Sequence, residues 1–410
     1  MLRSHLAPTT RASLFYLAFY FSMAAYLPFI NVYFRTLGLS GLQIGILSAL
    51  LPTMSFLIVP PLAILADRRR WRVRILAATV AGCAVSLILL MVPSDFLGLL
   101  PLMALFSVFY SPIVPLADTS IVGMAASRGL NYGGMRLWGS LGFAVSAAMF
   151  GAVWTHAGYR AMFAVAAGVS VLVAYVALSL DEGEHIERRE RTPLRAIRKD
   201  SLLVAVLVTT FLAASAIGME FTFVGIYMSS LGGSGLLVGL LFAVAATFEL
   251  PSMRFSGAIA ARIGPGETLL LAYGLLVVTY LGYAAAPNPY ALLACAVLRG
   301  IGYGLFYVGT IRFLNERAPA EWSATVQGIM NATAYGLGQL ITRPLGGRIY
   351  DLFGPRVLYL FCATMVSSAA IIMAVMVQLG RSNRVPNLQL VAGLPSRDGE
   401  RVESINSDGP

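Results

Sequence analysis

Apolar runs of about twenty residues, the helical span of a bilayer's hydrocarbon core, recur along this chain at short intervals, and no other feature limits its fold as strongly. No water reaches that layer, so each backbone N–H and C=O must be satisfied within its own segment, which selects helices. Twelve candidate spans follow: 12–34, 42–66, 72–92, 97–124, 134–154, 159–180, 201–230, 235–256, 267–286, 289–314, 323–346 and 356–379. One long polar stretch, "DEGEHIERRERTPLRAIRKD" at 181–200, separates two sets of six. The predicted fold is an all-α membrane protein with twelve transmembrane helices in two pseudo-symmetric six-helix halves, 1–180 and 201–380. Residues 181–200 are then a cytoplasmic linker, and 381–410 have the composition of a disordered cytoplasmic tail.

Hydrophobic residues make up 58% of the 410 and charged residues 12%, about half the charged share of a soluble domain. A soluble two-domain protein is excluded. The net charge of +10 does not point to nucleic acid, because the basic residues cluster in short stretches between apolar runs, where they set topology. Arg3, Arg11, the run Arg68, Arg69, Arg70, Arg72 and Arg74, then Arg128, the linker, Arg262, Arg312 and Arg317 share one side. Arg35, Arg160, Arg343, Arg348 and Arg356 fall to the other. This bias predicts a multi-pass protein of the cell's inner (plasma) membrane with both termini cytoplasmic. The first span is expected to be retained, because no small-residue cleavage site follows it. Cys83, Cys295 and Cys362 each lie within an apolar run, which supports neither a disulfide framework nor a metal site. His5, His156 and His185 lie outside the apolar cores, and neither HExxH nor GxSxG occurs, which argues against an intramembrane hydrolase. No cofactor and no metal are expected, and the expected partners are a small-molecule substrate, protons and membrane lipids, with the chain a monomer.

A short repeat marks the span connections. "GAVWTHAGYR" from Gly151 and "GRIYDLFGPR" from Gly347 share a Gly, six residues, Gly, any residue, Arg pattern. "GAIAARIGPG" keeps the glycines as Gly257 and Gly264, and "AILADRRRWR" from Ala63 keeps the frame with Asp67 and Arg68. The copies fall at the 2/3, 5/6, 8/9 and 11/12 connections, which predicts two halves each built of two three-helix units. Asp67 is expected to face the exposed N–H groups of a neighbouring helix, while the arginines bind the lipid surface.

Six ionisable groups fall inside the spans: Asp118, Glu220, Glu249, Arg136, Arg254 and Arg299. Each costs about 2.5–3.5 kcal/mol at mid-bilayer on insertion scales, so they must pair or line a wet cavity. Asp118 and Arg136 lie on consecutive antiparallel spans joined by a short loop, which brings them level. They are expected in one central cavity, within salt-bridge reach or bridged by water, with substrate binding as the favoured role. The alternative is a purely structural pair, weakened because replacing both partners of a buried pair is often neutral. Glu249 precedes Pro251 by two residues, and a proline there suits backbone that lines a cavity. Glu249 is the candidate proton carrier and Glu220 its competitor, with a fixed ion pair to Arg299 as the alternative.

"LADRRRWR", the twelve spans and the central linker resemble the major facilitator superfamily, in which the loop after the second span carries a Gly-x-x-x-Asp-Arg signature. Ala63 replaces its glycine, and the 8/9 copy has Ala261 in place of the acid. "PLAD" and "YGGMRLWGSLGF" resemble the lactose permease and phenylpropionate permease group of proton symporters, in which an acid on the fourth span pairs with an arginine on the fifth. That resemblance implies substrate binding by Asp118 and Arg136, and by Phe143 where sugar-transporting relatives carry a tryptophan. On the tenth span it implies a proton-handling His and Glu; this chain has Arg299, Tyr303 and Tyr307 and no acid there. The implied function is proton-coupled uptake of a small polar organic solute, a sugar, nucleoside or aromatic acid, by alternating access. Proton-coupled efflux of a drug or metabolite is the rival, although the fifth span has the glycines of an antiporter signature without its proline.

Overall fold

A computed structural model describes residues 6–182, 200–317 and 323–382. The interior of the expected linker, 183–199, and the tail from residue 383 lie outside the described residues, as do His5 and His185. The elements are α1 Pro8–Tyr26, α2 Ile30–Thr36, α3 Gly41–Arg69, α4 Arg72–Leu89, α5 Phe96–Tyr110, α6 Ile113–Ser127, α7 Tyr132–Ala157 and α8 Ala161–Ala177. After the linker come α9 Ser201–Ser230, α10 Gly235–Ile263, α11 Pro265–Ala285, α12 Pro289–Arg317, α13 Ser323–Met330, a π-helix at Asn331–Leu337, and α14 Gly338–Ser382. Among the described residues, ten helical stretches are long and apolar enough to cross a membrane, and Ala161–Ala177 is a shorter apolar helix.

Several expected boundaries move, for local reasons. The first span is two helices, α1 and α2, parted at Leu27–Phe29 around Pro28, and the fourth is α5 and α6, parted at Ser111 and Pro112. Proline has no N–H to continue the ladder, and its ring clashes with the preceding turn. The break expected between 346 and 356 is helical up to Gly354, which interrupts α14 with φ 81° and ψ 175°. Arg343 and Arg348, assigned from sequence to an exterior connection, therefore lie within α14.

The two sets of helices meet closely at one end. There α3 packs on α14 and α7 on α10 through backbone. A Cβ added at Gly41 would lie 2.7 Å from the Gly347 carbonyl oxygen, and one added at Gly151 would lie 2.6 Å from that of Gly235. Small residues allow this approach where no hydrophobic force drives helices together. Asp351 reinforces the contact, accepting from the N–H of Gly41 at 2.7 Å and of Leu42 at 2.9 Å, across the two sets of helices. The α3 N-terminus, already boxed by Ser40 and Gln43, suits this carboxylate because its free N–H groups carry partial positive charge. Burial then falls away: α3 buries Gly41, Ile44, Gly45, Leu47, Ser48, Ala49 and Pro52, and beyond these only Ala66. This arrangement gives the molecule a sealed end and an open end.

The repeat has a geometric basis. Its second position takes positive φ in all four copies: Gly158 at 76°, Gly264 at 99°, Gly354 at 81° and, where the glycine is missing, Arg70 at 53°. Glycine is the residue that adopts this region without steric penalty. Ion pairs near the helix ends gather at the open end, where Asp181 meets Arg11 at 3.3 Å and Arg128 at 3.1 Å, and Asp200 meets Arg317 at 2.8 Å.

Candidate functional site

Between the two sets of helices lies a cavity of about 390 Å³ whose charged lining residues are Arg136, Glu249, Arg299 and Arg343. On its α10–α12 wall, Arg299 meets two acids. Its Nε and Nη2 both donate to Glu220 Oε2 at 3.4 Å, and its Nη1 lies 3.8 Å from Glu249 Oε2. Glycine makes this possible, since a Cβ at Gly304 would lie 2.7 Å from the Glu249 carbonyl oxygen. The two acids differ in access: the Glu220 side chain is 2% exposed and that of Glu249 24%. The Arg299 guanidinium also lies over the Tyr303 ring, 5.0 Å from its centroid, a favourable cation–π geometry. Tyr303 lines the cavity. Tyr307 stacks on it with centroids 6.1 Å apart and is not among the lining residues.

On the α1–α7 wall the geometry corrects the expectation. Asp118 and Arg136 form no ion pair among the described residues, and only Arg136 lines the cavity. Asp118 instead accepts a 2.6 Å hydrogen bond from the Tyr16 hydroxyl. Arg136 donates to the Tyr20 hydroxyl and lies 5.1 Å from the Tyr16 ring centroid and 4.2 Å from that of Tyr20. Tyr16 and Tyr20 are one helical turn apart on α1, so both face the same neighbours. Spacing on the fourth and fifth spans brings acid and base level, but it carries no information about a third helix between them. Phe143, two turns beyond Arg136, does line the cavity. Arg254 is exposed, has no ion pair among the described residues and is not among the lining residues, which corrects the expectation that each charge inside a span pairs or lines a cavity. Trp138 is 47% exposed and lies outside the lining.

Sequence reasoning missed a third part of the cavity, from the π-helix and α14. Tyr335, Gln339 and Arg343 line it. Arg343 donates through Nη1 to the Ser48 carbonyl of α3 at 2.7 Å and through Nη2 to Gln339 Oε1 at 2.6 Å. A π-helical stretch often marks a functional position in a helix, and Tyr335 lies within this one. The available signal was Gly354: recognising it as the turn would have placed Arg343 three turns inside a helix rather than at its edge.

The four residues singled out in the connections serve the helix ends. Asp67 accepts from Arg72 Nε at 2.7 Å, in its own turn. The expected contact of an acid with a neighbouring helix terminus is made instead by Asp351, in the fourth copy. Arg68 is exposed at the open end, the Gly257 carbonyl accepts from Arg312 at 3.1 Å, and Gly264 joins α10 to α11. No cluster of three or more metal-ligating side chains occurs among the described residues, and the cysteines Cys83, Cys295 and Cys362 are free.

The chain matches the model of the MFS_1 like family over residues 9–361. It is 29% identical over 354 residues to the maltose permease of Geobacillus stearothermophilus, covering 85% of this chain and 89% of that protein. It is 24% identical over 359 residues to the probable 3-phenylpropionic acid transporter of Escherichia coli (strain K12), covering 85% and 93%. In fold it is similar to the crystal structure of nucleoside transporter NupG, with a TM-score of 0.78 and 15% identity over 90% of this chain and 99% of that one. Since the family model covers most of the chain, the protein belongs to the MFS_1 like family and is a membrane transporter of the major facilitator superfamily, not an enzyme.

Proposed function

We propose that the protein is a secondary transporter carrying a small polar organic solute into the cell with protons, by rocking two six-helix halves about the cavity. The carrying observation is one cavity lined by both sets of helices, with Arg136 on one side and Glu249 with Arg299 on the other. Substrate sites at such an interface near the bilayer midplane suit alternating access. The reading takes residues 1–180 and 201–380 as the halves, with twelve crossings. Ala161–Ala177 supplies the short one, and the kink at Gly354 divides α14 into two. With both termini cytoplasmic, the open end faces the cytoplasm and the structure represents an inward-open state.

In this reading Arg136 and Phe143 contact the solute, Tyr303 completes the wall, and Tyr307 supports it from behind. Asp118 acts on Arg136 through α1, where Tyr16 and Tyr20 set the guanidinium's position. Glu249 carries the proton: it reaches the cavity, while Glu220 stays with Arg299 as a counter-charge. When Arg299 is held by Glu220 alone, Glu249 can be protonated without leaving a bare buried cation. The relatives carry maltose or 3-phenylpropionic acid by name, which supports a sugar, nucleoside or aromatic acid as the solute class. Uptake of labelled members of each class into proteoliposomes, with and without an inward proton gradient, tests the reading. Accumulation that follows the gradient supports it, and solute that moves only outward against the proton influx overturns symport in favour of antiport.

A further inference from the structure

The charges lining the cavity do not balance, and two of its arginines, Arg136 and Arg343, have no carboxylate within ion-pair distance among the described residues. Arg299 is matched by Glu220 and Glu249, and Arg136 is held by Tyr20 and the faces of two tyrosine rings. Arg343 has no carboxylate within ion-pair distance among the described residues. Its two neutral acceptors, the Ser48 carbonyl and the Gln339 amide, use one N–H each, and its Nε has no partner. The acid nearest along its own helix, Asp351, is already occupied by the α3 N-terminus. A guanidinium offers five donors and no acceptor, and a buried cation without a counter-ion is costly.

We infer that the cavity takes an organic anion, a small aromatic or arylalkyl carboxylate, and that Arg343 is the residue that recognises its carboxylate. This deepens the proposed function and rests on it for the transport step. The planar fork suits bidentate capture of a carboxylate. The walls suit the rest of such a molecule, since Phe143, Phe221, Phe242 and Tyr335 surround the same space and offer rings for offset or edge stacking. A sugar fits less well, because it brings no counter-charge to the unmatched guanidinium. Glu249 faces Arg299 and Gln339 faces Arg343, while the lining hydroxyls of Ser140, Tyr20, Tyr303 and Tyr335 carry no charge to offset a guanidinium.

The test uses the purified full-length protein in detergent and reads thermal stabilisation by benzoate and 3-phenylpropionate, by their primary amides, and by maltose and uridine. Proteoliposome counterflow is measured with the same panel. The carboxylates are expected to bind the wild type about tenfold or more tightly than the isosteric amides, as a charge-assisted fork requires. Arg343→Gln should erase that preference, and Arg343→Lys should retain part of it. The carboxylate-to-amide comparison needs no variant, so it holds even if a variant fails to insert. Equal binding of acid and amide, or no carboxylate binding at millimolar concentration, overturns the inference. So does carboxylate binding that survives Arg343→Gln and is lost in Arg136→Gln. Counterflow of maltose or uridine with no response to carboxylates overturns the anion and leaves the transporter standing. Carboxylate binding that depends on Arg343, without counterflow of any panel member, keeps the receptor and overturns the transport reading.

Discussion

On the α10–α12 wall a guanidinium meets its carboxylates directly, whereas on the α1–α7 wall tyrosines stand between base and acid. The same pair of residue types thus yields two devices. Where Arg299 faces both Glu220 and Glu249, charge is conserved locally and one acid can change protonation while the other holds the base. Where Tyr20 and the ring faces hold Arg136, the guanidinium keeps free donors toward the cavity and is positioned without being neutralised. The first arrangement suits handling a proton and the second suits gripping a solute. The difference comes from α1, whose Tyr16 and Tyr20 have no counterpart between Arg299 and its acids.

The strongest way to break this contrast is to remove the acid that never leaves. Glu220→Ala leaves Arg299 with Glu249 alone at 3.8 Å, and truncating one partner of a buried pair costs on the order of 3–5 kcal/mol. A marked fall in melting temperature in detergent is expected, larger than for Glu249→Ala. Equal falls would show that the two acids share the base evenly.

Glu249→Gln keeps the size and hydrogen bonding of the side chain but abolishes its titration. Proton-driven accumulation is expected to vanish while exchange of solute across the membrane stays within about threefold of wild type, since exchange needs no net proton movement. Accumulation that survives there but is lost in Glu220→Gln moves the proton to the deeper acid.

On the opposite wall, Arg136→Lys retains charge but loses the planar fork and its stacking on Tyr16 and Tyr20. Solute affinity should fall about tenfold, close to 1.4 kcal/mol, with normal insertion and unchanged accumulation per bound solute. Near-normal affinity would reduce this wall to a structural role.

The smallest effect is expected at the open end, where Asp200 meets Arg317 and also accepts from the N–H groups of Leu202 and Leu203. Burial pushes its carboxyl upward, but the Arg317 hydrogen bond and the backbone amides outweigh that and hold it below the usual range. A lowered folded-state pKa contributes stability that is complete above the unfolded value and is lost as pH falls through the folded one. Melting temperature should therefore drop in the acidic range below about pH 4. Asp200→Asn, which keeps a helix cap, should cost no more than about 1 kcal/mol and flatten that drop.

Much of the fold was legible because its signals are local. Apolar length, the breaks between runs and the repeated glycine frame each depend on a few neighbouring residues, and the positive φ at Gly158, Gly264 and Gly354 is that frame in backbone form. The misplacements were local too: Pro28 and Pro112 split two expected spans, and grouping Arg343 with the exterior basic residues, at the edge of the 323–346 span, kept it out of the charges considered for the cavity. The candidate site was legible only residue by residue. Arg136, Phe143, Glu249, Arg299 and Tyr303 do line one cavity, because an ionisable or aromatic group inside a span has few tolerable surroundings.

What the sequence determined by itself is the class of molecule, since the absence of water in a bilayer forces long apolar segments into helices and confines their charges to contacts with one another or with a cavity. Which charges meet was left to the tertiary structure. Asp118 lost Arg136 to a tyrosine pair on a third helix, Glu220 and Glu249 converged on one arginine from separate helices, and Arg343 came to the cavity through the packing of α14 on α3. These outcomes depend on rotations and close approaches of helices far apart in the chain, set by glycine contacts such as Gly41 with Gly347, and a spacing within one segment carries no record of them.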